Sequence, residues 1–405
     1  MRSRAAPCAS IRSRLSGTID YHRTVNALLV HSGGPTPVIN ASLAGVVEEA
    51  RRHSEITGIY GARFGFAGVL AEDFYNLFAQ PEETLAAVAQ MPASALGTSR
   101  LELGETGIGQ VLGVCRARQI RYLLITGGNG SMGTAAQLAA ASDSLRVIGI
   151  PKTIDNDLLE TDHTPGYATT ARFFACAVRD VGADNRALPG QVEFVEVLGR
   201  NAGWLVAATC LARRHPDDPP HLIYFPELRL PLDQLLHDID RVYGRLGRCV
   251  VAICEGQLDE HGAAFGADER PGSRGKLAMN LGHRLAMLTG DRLKLKARSE
   301  KPGLLGRSWW SHEPALDRAE ARLCGAAAVR AACEGSSGVM VTLVRHPGPE
   351  YRASTGLAPL ARVAFAERLF PAEWRSPAGN DVVPAFADYV VPLVGTIPGY
   401  THLQL

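Results

Sequence analysis

Short apolar runs, each ending in a glycine-rich or polar turn and followed by helical spacing, recur along this chain. The first is Asn26-Ala27-Leu28-Leu29-Val30-His31, broken by Ser32-Gly33-Gly34-Pro35-Thr36-Pro37 and followed by a helical pattern over 38–52. Strand, glycine turn and helix together open a parallel βαβ unit. A strand over 58–60, helices over 83–90 and 107–118 and the strand Tyr122-Leu123-Leu124-Ile125 come next. Thr126-Gly127-Gly128-Asn129-Gly130-Ser131 then leads into a helix over 132–142 and a strand over 147–150. The alternation repeats with helix 167–183, strand 192–198, a glycine turn at 199–203 and a helix to about 213. Strand 222–225, helix 231–246 and strand 250–254 follow, and 257–275, rich in Gly, Asp and Glu, reads as an exposed loop. Helices over 277–288 and 314–334 flank 294–307, and 338–344 is a late strand. Two successive halves of this kind predict an α/β fold of two doubly wound lobes with a cleft between them.

Composition agrees with two lobes. A chain of 405 residues exceeds one ordinary core. Its 46% hydrophobic and 20% charged residues are those of a globular protein. A net charge of +1 gives no electrostatic case for nucleic acid or an acidic membrane. No apolar run approaches the roughly 18 residues of a membrane span. The eight cysteines are scattered without a C-x-x-C pair, so reduced thiols in a cytosolic protein are expected, with no zinc site. Residues 1–23 differ: Arg2, Arg4, Arg12, Arg14 and Arg23 face one acid, Asp20. They read as a disordered, dispensable basic tail, although a transit peptide has similar composition.

The richest chemistry lies in Pro151-Lys152-Thr153-Ile154-Asp155-Asn156-Asp157, directly after the strand at 147–150. Ligands of open α/β sheets bind at carboxyl ends of strands. A carboxylate there can take a proton from a hydroxyl or hold magnesium, and an ammonium can neutralise phosphate oxygens. A polar Asx turn would explain Asn156 but not a lysine beside two acids. Gly33 and Gly34 after one strand, and Gly128, Gly130 and Ser131 after another, let backbone N–H groups approach one shared anion. Structural glycines of tight turns would look the same. The Ser32-Gly33-Gly34 turn is neither G-x-G-x-x-G nor a Walker loop. Arg200, in Leu198-Gly199-Arg200, offers a phosphate clamp or a surface salt bridge. Glu255 ends the strand at 250–254 and suits sugar hydroxyls; Arg298 and Arg307 suit a phosphate monoester. His31 and His163 read as ordinary polar loop residues.

Together these segments resemble the bacterial-type phosphofructokinase superfamily, which includes ATP- and pyrophosphate-dependent enzymes. The resemblance rests on Ser32-Gly33-Gly34, Gly97-Thr98-Ser99-Arg100, Gly127-Gly128-Asn129-Gly130-Ser131, residues 151–157, Thr164-Pro165-Gly166-Tyr167, residues 198–203, Glu255-Gly256, Arg298 and Arg307. These occur in family order over about 26–320, and the tail past 345 resembles longer members more loosely. It implies two Rossmann-like lobes with the active site in the cleft. The implied organisation is a tail over 1–23, a phosphoryl-donor lobe over 24–166 with about 306–345, a sugar-phosphate lobe over 167–305, and an extension over 346–405 packing on both.

The resemblance also implies roles. Asp155 would be the base for the 1-hydroxyl of fructose 6-phosphate, supported by Asp157, with Thr153 touching sugar and phosphoryl group. Arg200 would steady transition-state charge, Arg100 would contact the donor, and Glu255, Arg298 and Arg307 would bind the sugar phosphate. Magnesium is the implied cofactor, with Asn129 at the position that helps hold it. A neutral amide there binds a hard cation more weakly than a carboxylate. Lys152 favours pyrophosphate as donor, as do Arg63, where an aromatic adenine platform is expected, and Ser308 and Ser311 before Asp317. Gly130 favours ATP, since many pyrophosphate enzymes carry aspartate there. Gln191 replaces an arginine that reaches a neighbour's substrate, and Leu304 replaces a polar sugar contact. A homodimer or homotetramer is expected, and a ketose phosphate such as sedoheptulose 7-phosphate stays open. The rival readings are a catalytically weakened sugar-phosphate-binding paralogue and, on fold alone, a nicotinamide-dependent oxidoreductase.

Overall fold

The structure is a computed structural model and describes residues 25–263, 265, 280–311 and 313–401. The first lobe's strands are β1 (Val25–His31), β2 (Ile56–Ala62), β3 (Phe74–Asn76), β4 (Ile120–Gly127) and β5 (Arg146–Pro151). The second contains β6 (Gln191–Val197), β7 (Leu222–Tyr224), β8 (Arg229–Leu230), β9 (Cys249–Cys254), β10 (Leu258–Asp259) and β11 (Lys296–Glu300). The chain then returns to the first with β12 (Val339–Arg345) and β13 (Ala353–Pro359).

Seven strands form one sheet in the order β13-β12-β5-β4-β1-β2-β3, and four form another in the order β11-β6-β9-β7. The pairs β5-β4, β4-β1 and β1-β2 are parallel, as are all pairs of the second sheet. Parallel strands are covered on both faces, which is why they read as unbroken apolar runs. Every residue of β6 and β9 is buried, whereas β11 alternates exposed and half-buried positions because it is an edge.

From β1 the chain goes to β2 on one side and later to β4 and β5 on the other. The sheet therefore has its switch point between β1 and β4, where the crossover loops diverge and leave a crevice. The two glycine turns leave the carboxyl ends of these two strands.

The region past 345 holds structure that the apolar pattern does not disclose. Strand β13 pairs antiparallel with β12, and the short helix Leu360–Val363 covers the first sheet. Phe370, Phe386, Val390 and Leu393 enter the second lobe's core beside Trp204 and Phe225. Residues 364–369 are thus the strap that crosses from one lobe to the other. The segment 294–307 contains β11 and a 3-10 turn at Gly303–Arg307. The loop expected over 257–275 needs correction, since β10 within it pairs with β8. The tail over 1–23 and all of 266–279, which includes the start of the helix expected over 277–288, lie outside the described residues.

Candidate active site

The loop after β5 is built by its own polar side chains. Lys152 N–H donates to Gly127 O, tying the loop to the end of β4. Asn156, fully buried and left-handed at φ 55°, accepts from Thr164 N–H at 3.0 Å through Oδ1. Thr164 Oγ1 donates to Thr153 O, and Asp155 N–H donates to Thr153 Oγ1. These bonds turn the chain sharply and leave Lys152, Asp155 and Asp157 facing one cavity of about 410 Å³.

That cavity is also lined by Gly33, Gly34, Arg100, Gly128, Asn129, Gly130, Ser131, Thr153, Arg200 and Arg307. Both glycine turns, the acidic loop and the Arg200 turn therefore line one cavity. The helix after β4 starts at Asn129, three residues earlier than its pattern suggests, so Asn129, Gly130 and Ser131 form its first turn at the cavity. A helix N-terminus there favours negative charge.

Arginines converge because backbones approach closely. A Cβ at Gly34 would lie 3.5 Å from both Arg100 Nη2 and Arg307 Cζ, so the turn passes between two guanidiniums. A Cβ at Gly256 would lie 1.6 Å from Arg200 O, so only glycine lets the Arg200 turn settle on the end of β9. Arg200 itself has φ 43°.

Lys152 is buried and donates to Ser32 O at 2.9 Å and Gly34 O at 2.5 Å. Two of its three donors thus strap the first glycine turn, leaving one for a ligand. Burial, reinforced by Arg307, lowers its pKa to about 7. Burial raises Asp155, and the charge of Glu255 raises it further, against Arg307, Arg200 and Lys152. Burial also raises Asp157, followed by the neighbouring charges of Asp155 and Glu367.

Asn129 Nδ2 donates to Asp157 Oδ2 at 2.9 Å. The other oxygens of this pair, Asn129 Oδ1 and Asp157 Oδ1, are buried without a hydrogen-bond partner. Two such oxygens on one hydrogen-bonded pair of cavity residues fit an oxygen-seeking cation such as magnesium.

Two predicted ligands are not on this wall. Glu255 is absent from the cavity lining and acts on Asp155 by charge, itself raised by burial and then by Glu196. Arg298 is exposed on β11, opposite Glu193 on β6, and is not brought to the cavity of its own chain. The two histidines also need correction, because both are buried. His31 accepts or donates at Ser94 Oγ, 2.7 Å away, and is lowered to about 3 by burial and then by Lys152. His163 bridges Asp162 at 2.9 Å and Glu320 at 2.7 Å. Burial opposes its charge, but these two bonds prevail and raise it to about 9.

Sequence reasoning missed Glu367 and Arg368, both on the strap between lobes. Glu367 lines the cavity and accepts from Asn201 Nδ2 at 3.2 and 2.9 Å. Arg368 N–H donates to Asp157 O at 2.7 Å. Its guanidinium donates to Asn156 O, Thr161 O and Asp162 O and lies 4.4 Å over the Trp204 ring. No local pattern marks either residue, since they follow an irregular stretch with neither strand nor helix period.

Two largely parallel sheets, with carboxylates on one loop and basic side chains around glycine turns at a crevice, define an α/β phosphoryl-transfer architecture. A family model described as "Phosphofructokinase" matches residues 26–332, and the chain belongs to the phosphofructokinase family. It is 37% identical over 381 residues to "Pyrophosphate--fructose 6-phosphate 1-phosphotransferase" of Rhodospirillum rubrum, covering 91% of this chain and 94% of that protein. It is 35% identical over 389 residues to the protein of the same name from Xanthomonas campestris pv. campestris, covering 91% of each. A solved structure of pyrophosphate-dependent phosphofructokinase from Nitrosospira multiformis superposes with a TM-score of 0.84 at 30% identity, over 93% of this chain and 94% of that one.

Proposed function

We propose that the protein transfers the terminal phosphoryl group of pyrophosphate to the 1-hydroxyl of fructose 6-phosphate, reversibly and with magnesium. The observation that carries this reading is the Asp155 carboxylate facing the same cavity as both glycine turns and the basic groups Arg100, Lys152, Arg200 and Arg307. Asp155 takes the hydroxyl proton as the sugar oxygen attacks the terminal phosphorus in line. The new O–P bond forms as the bridging P–O bond breaks, and inorganic phosphate leaves. Arg200, Arg307 and Lys152 offset the charge that builds. The oxygens of Asn129 and Asp157 would hold magnesium, which neutralises donor oxygens when bound.

Three features support pyrophosphate. The relatives at 31–37% identity over 91% of this chain carry that name. Lys152 adds charge beside the first glycine turn. Arg63, at the expected adenine platform, is engaged with Asp73 at 3.0 Å. ATP remains the second reading on one observation: a side chain at Gly130 would meet nothing within 4 Å, so room is left there. The intact acidic loop argues against a catalytically weakened paralogue. A cytoplasmic setting fits the lack of disulfides, and of any helix long and apolar enough to cross a membrane, among the described residues.

The deciding assay supplies fructose 6-phosphate and magnesium with each donor separately. Turnover with pyrophosphate and not ATP is expected, and the opposite result would transfer the assignment to the ATP enzyme. Asp155→Asn should lower turnover by about two to four orders of magnitude. Near-normal turnover would remove Asp155 from the role of base.

A further inference from the structure

The pair of buried, unpartnered oxygens, Asn129 Oδ1 and Asp157 Oδ1, supplies at most one full negative charge. Four cations, Arg100, Lys152, Arg200 and Arg307, line the rest of the wall, together with Asp155, the proposed base, and exposed Glu102. Glu367 is the further carboxylate on this lining that the reaction as written leaves without a role. A carboxylate facing a polyphosphate directly would repel it, and a cation lying between them removes that conflict.

Its placement is fixed. The next residue's N–H binds Asp157 O at 2.7 Å, and the Arg368 guanidinium grips three carbonyls of the same acidic loop. The backbone of Glu367 is therefore locked to the loop that carries Asp157. Across the cleft, Asn201 Nδ2 orients the carboxylate through both oxygens. Each carboxylate oxygen accepts twice, so this amide leaves acceptor capacity for a cation or its water.

We propose that Glu367 is a metal-side carboxylate of this site, delivered by the C-terminal strap to hold the divalent cation that accompanies the donor. The proposal rests on the metal-dependent reading above and adds a residue from outside the stretch that the family model matches.

The test uses full-length protein, imidodiphosphate as a non-transferable pyrophosphate analogue, and Mn²⁺ binding read by electron paramagnetic resonance. Glu367→Gln should weaken Mn²⁺ binding about tenfold in the presence of the analogue, because a ligand charge is lost. The same variant should bind the metal-free analogue as well as the parent protein or better, since a repulsive charge is gone. Asn201→Ala breaks the cross-cleft contact but keeps the charge, and should leave Mn²⁺ affinity within about twofold. Adding Asn129→Asp to Glu367→Gln returns a charge to the wall and should recover most of the affinity. If Glu367→Gln and Asn201→Ala weaken Mn²⁺ equally, or if Asn129→Asp recovers nothing, Glu367 is a latch and the proposal fails. If the unaltered protein binds no Mn²⁺ with the analogue, the metal-dependent reading itself falls.

Discussion

Asp155 and Lys152 titrate towards each other, because burial penalises the charge on both. The carboxyl is raised above its ordinary range, first by burial and then by Glu255, while the ammonium is lowered to about 7 by burial and then by Arg307. A base works only when ionised, so activity is lost as pH falls through the raised carboxyl value. A donor-binding ammonium works only when protonated, so donor affinity is lost as pH rises through about 7. The pH profile of kcat/KM for the donor should therefore be bell-shaped and narrow. Lys152→Met should remove the alkaline limb and weaken donor binding about tenfold to a hundredfold. Retention of that limb would assign it to another group.

At the level of elements, the acidic loop is held from a distant part of the sequence. Arg368 fills three carbonyls of the loop and stacks on Trp204, which ties the site to the second lobe's aromatic core. Catalytic geometry is sensitive to shifts of about 1 Å. Arg368→Ala should lower kcat about a hundredfold with a smaller change in sugar-phosphate KM, as steady-state kinetics would read it. Equal changes in the two would mean lost binding rather than lost alignment.

His163 anchors the far end of the same loop to Glu320, on the helix Ala315–Cys333. Its folded value of about 9 lies above the ordinary 6.5, so folding favours its protonated form. The contribution is complete below about pH 6.5 and is lost as pH rises through about 9, on the order of 3 kcal/mol in all. Melting temperature should fall across this window, and His163→Gln should flatten the slope there. An unchanged slope would show that the histidine is not the titrating group.

For the whole molecule, Arg298 poses the main question. It lies exposed on an edge strand, outside the cavity of its own chain. An arginine so placed could serve the substrate phosphate of another copy, as the homodimer or homotetramer expected from the sequence would allow. Co-expression of differently tagged Asp155→Asn and Arg298→Ala chains should then give mixed assemblies with activity that neither variant has alone. Absence of such complementation, with mixed assemblies isolated, would remove Arg298 from the site. The strap at 364–369 bears on the same scale. Because β13 belongs to the first sheet and Phe370 to the second core, the extension fixes how the lobes face each other.

Local pattern alone determined the alternation of strands and helices, because parallel strands buried on both faces must be continuously apolar. It also disclosed the acidic loop and both glycine turns, because ligands of open sheets gather at strand ends and the turns there need small residues. Their convergence depended on strand order, which placed β1 and β4 side by side at the switch point. Tertiary structure alone decided the rest. Glu255 is off the cavity lining, Arg298 lies on an edge strand, and two histidines read as loop residues are buried. Glu367 and Arg368 reached the site from more than 200 residues along the chain. Contacts of such separation leave no period in the sequence, since what selects them is the shape and charge of a surface that exists only after folding.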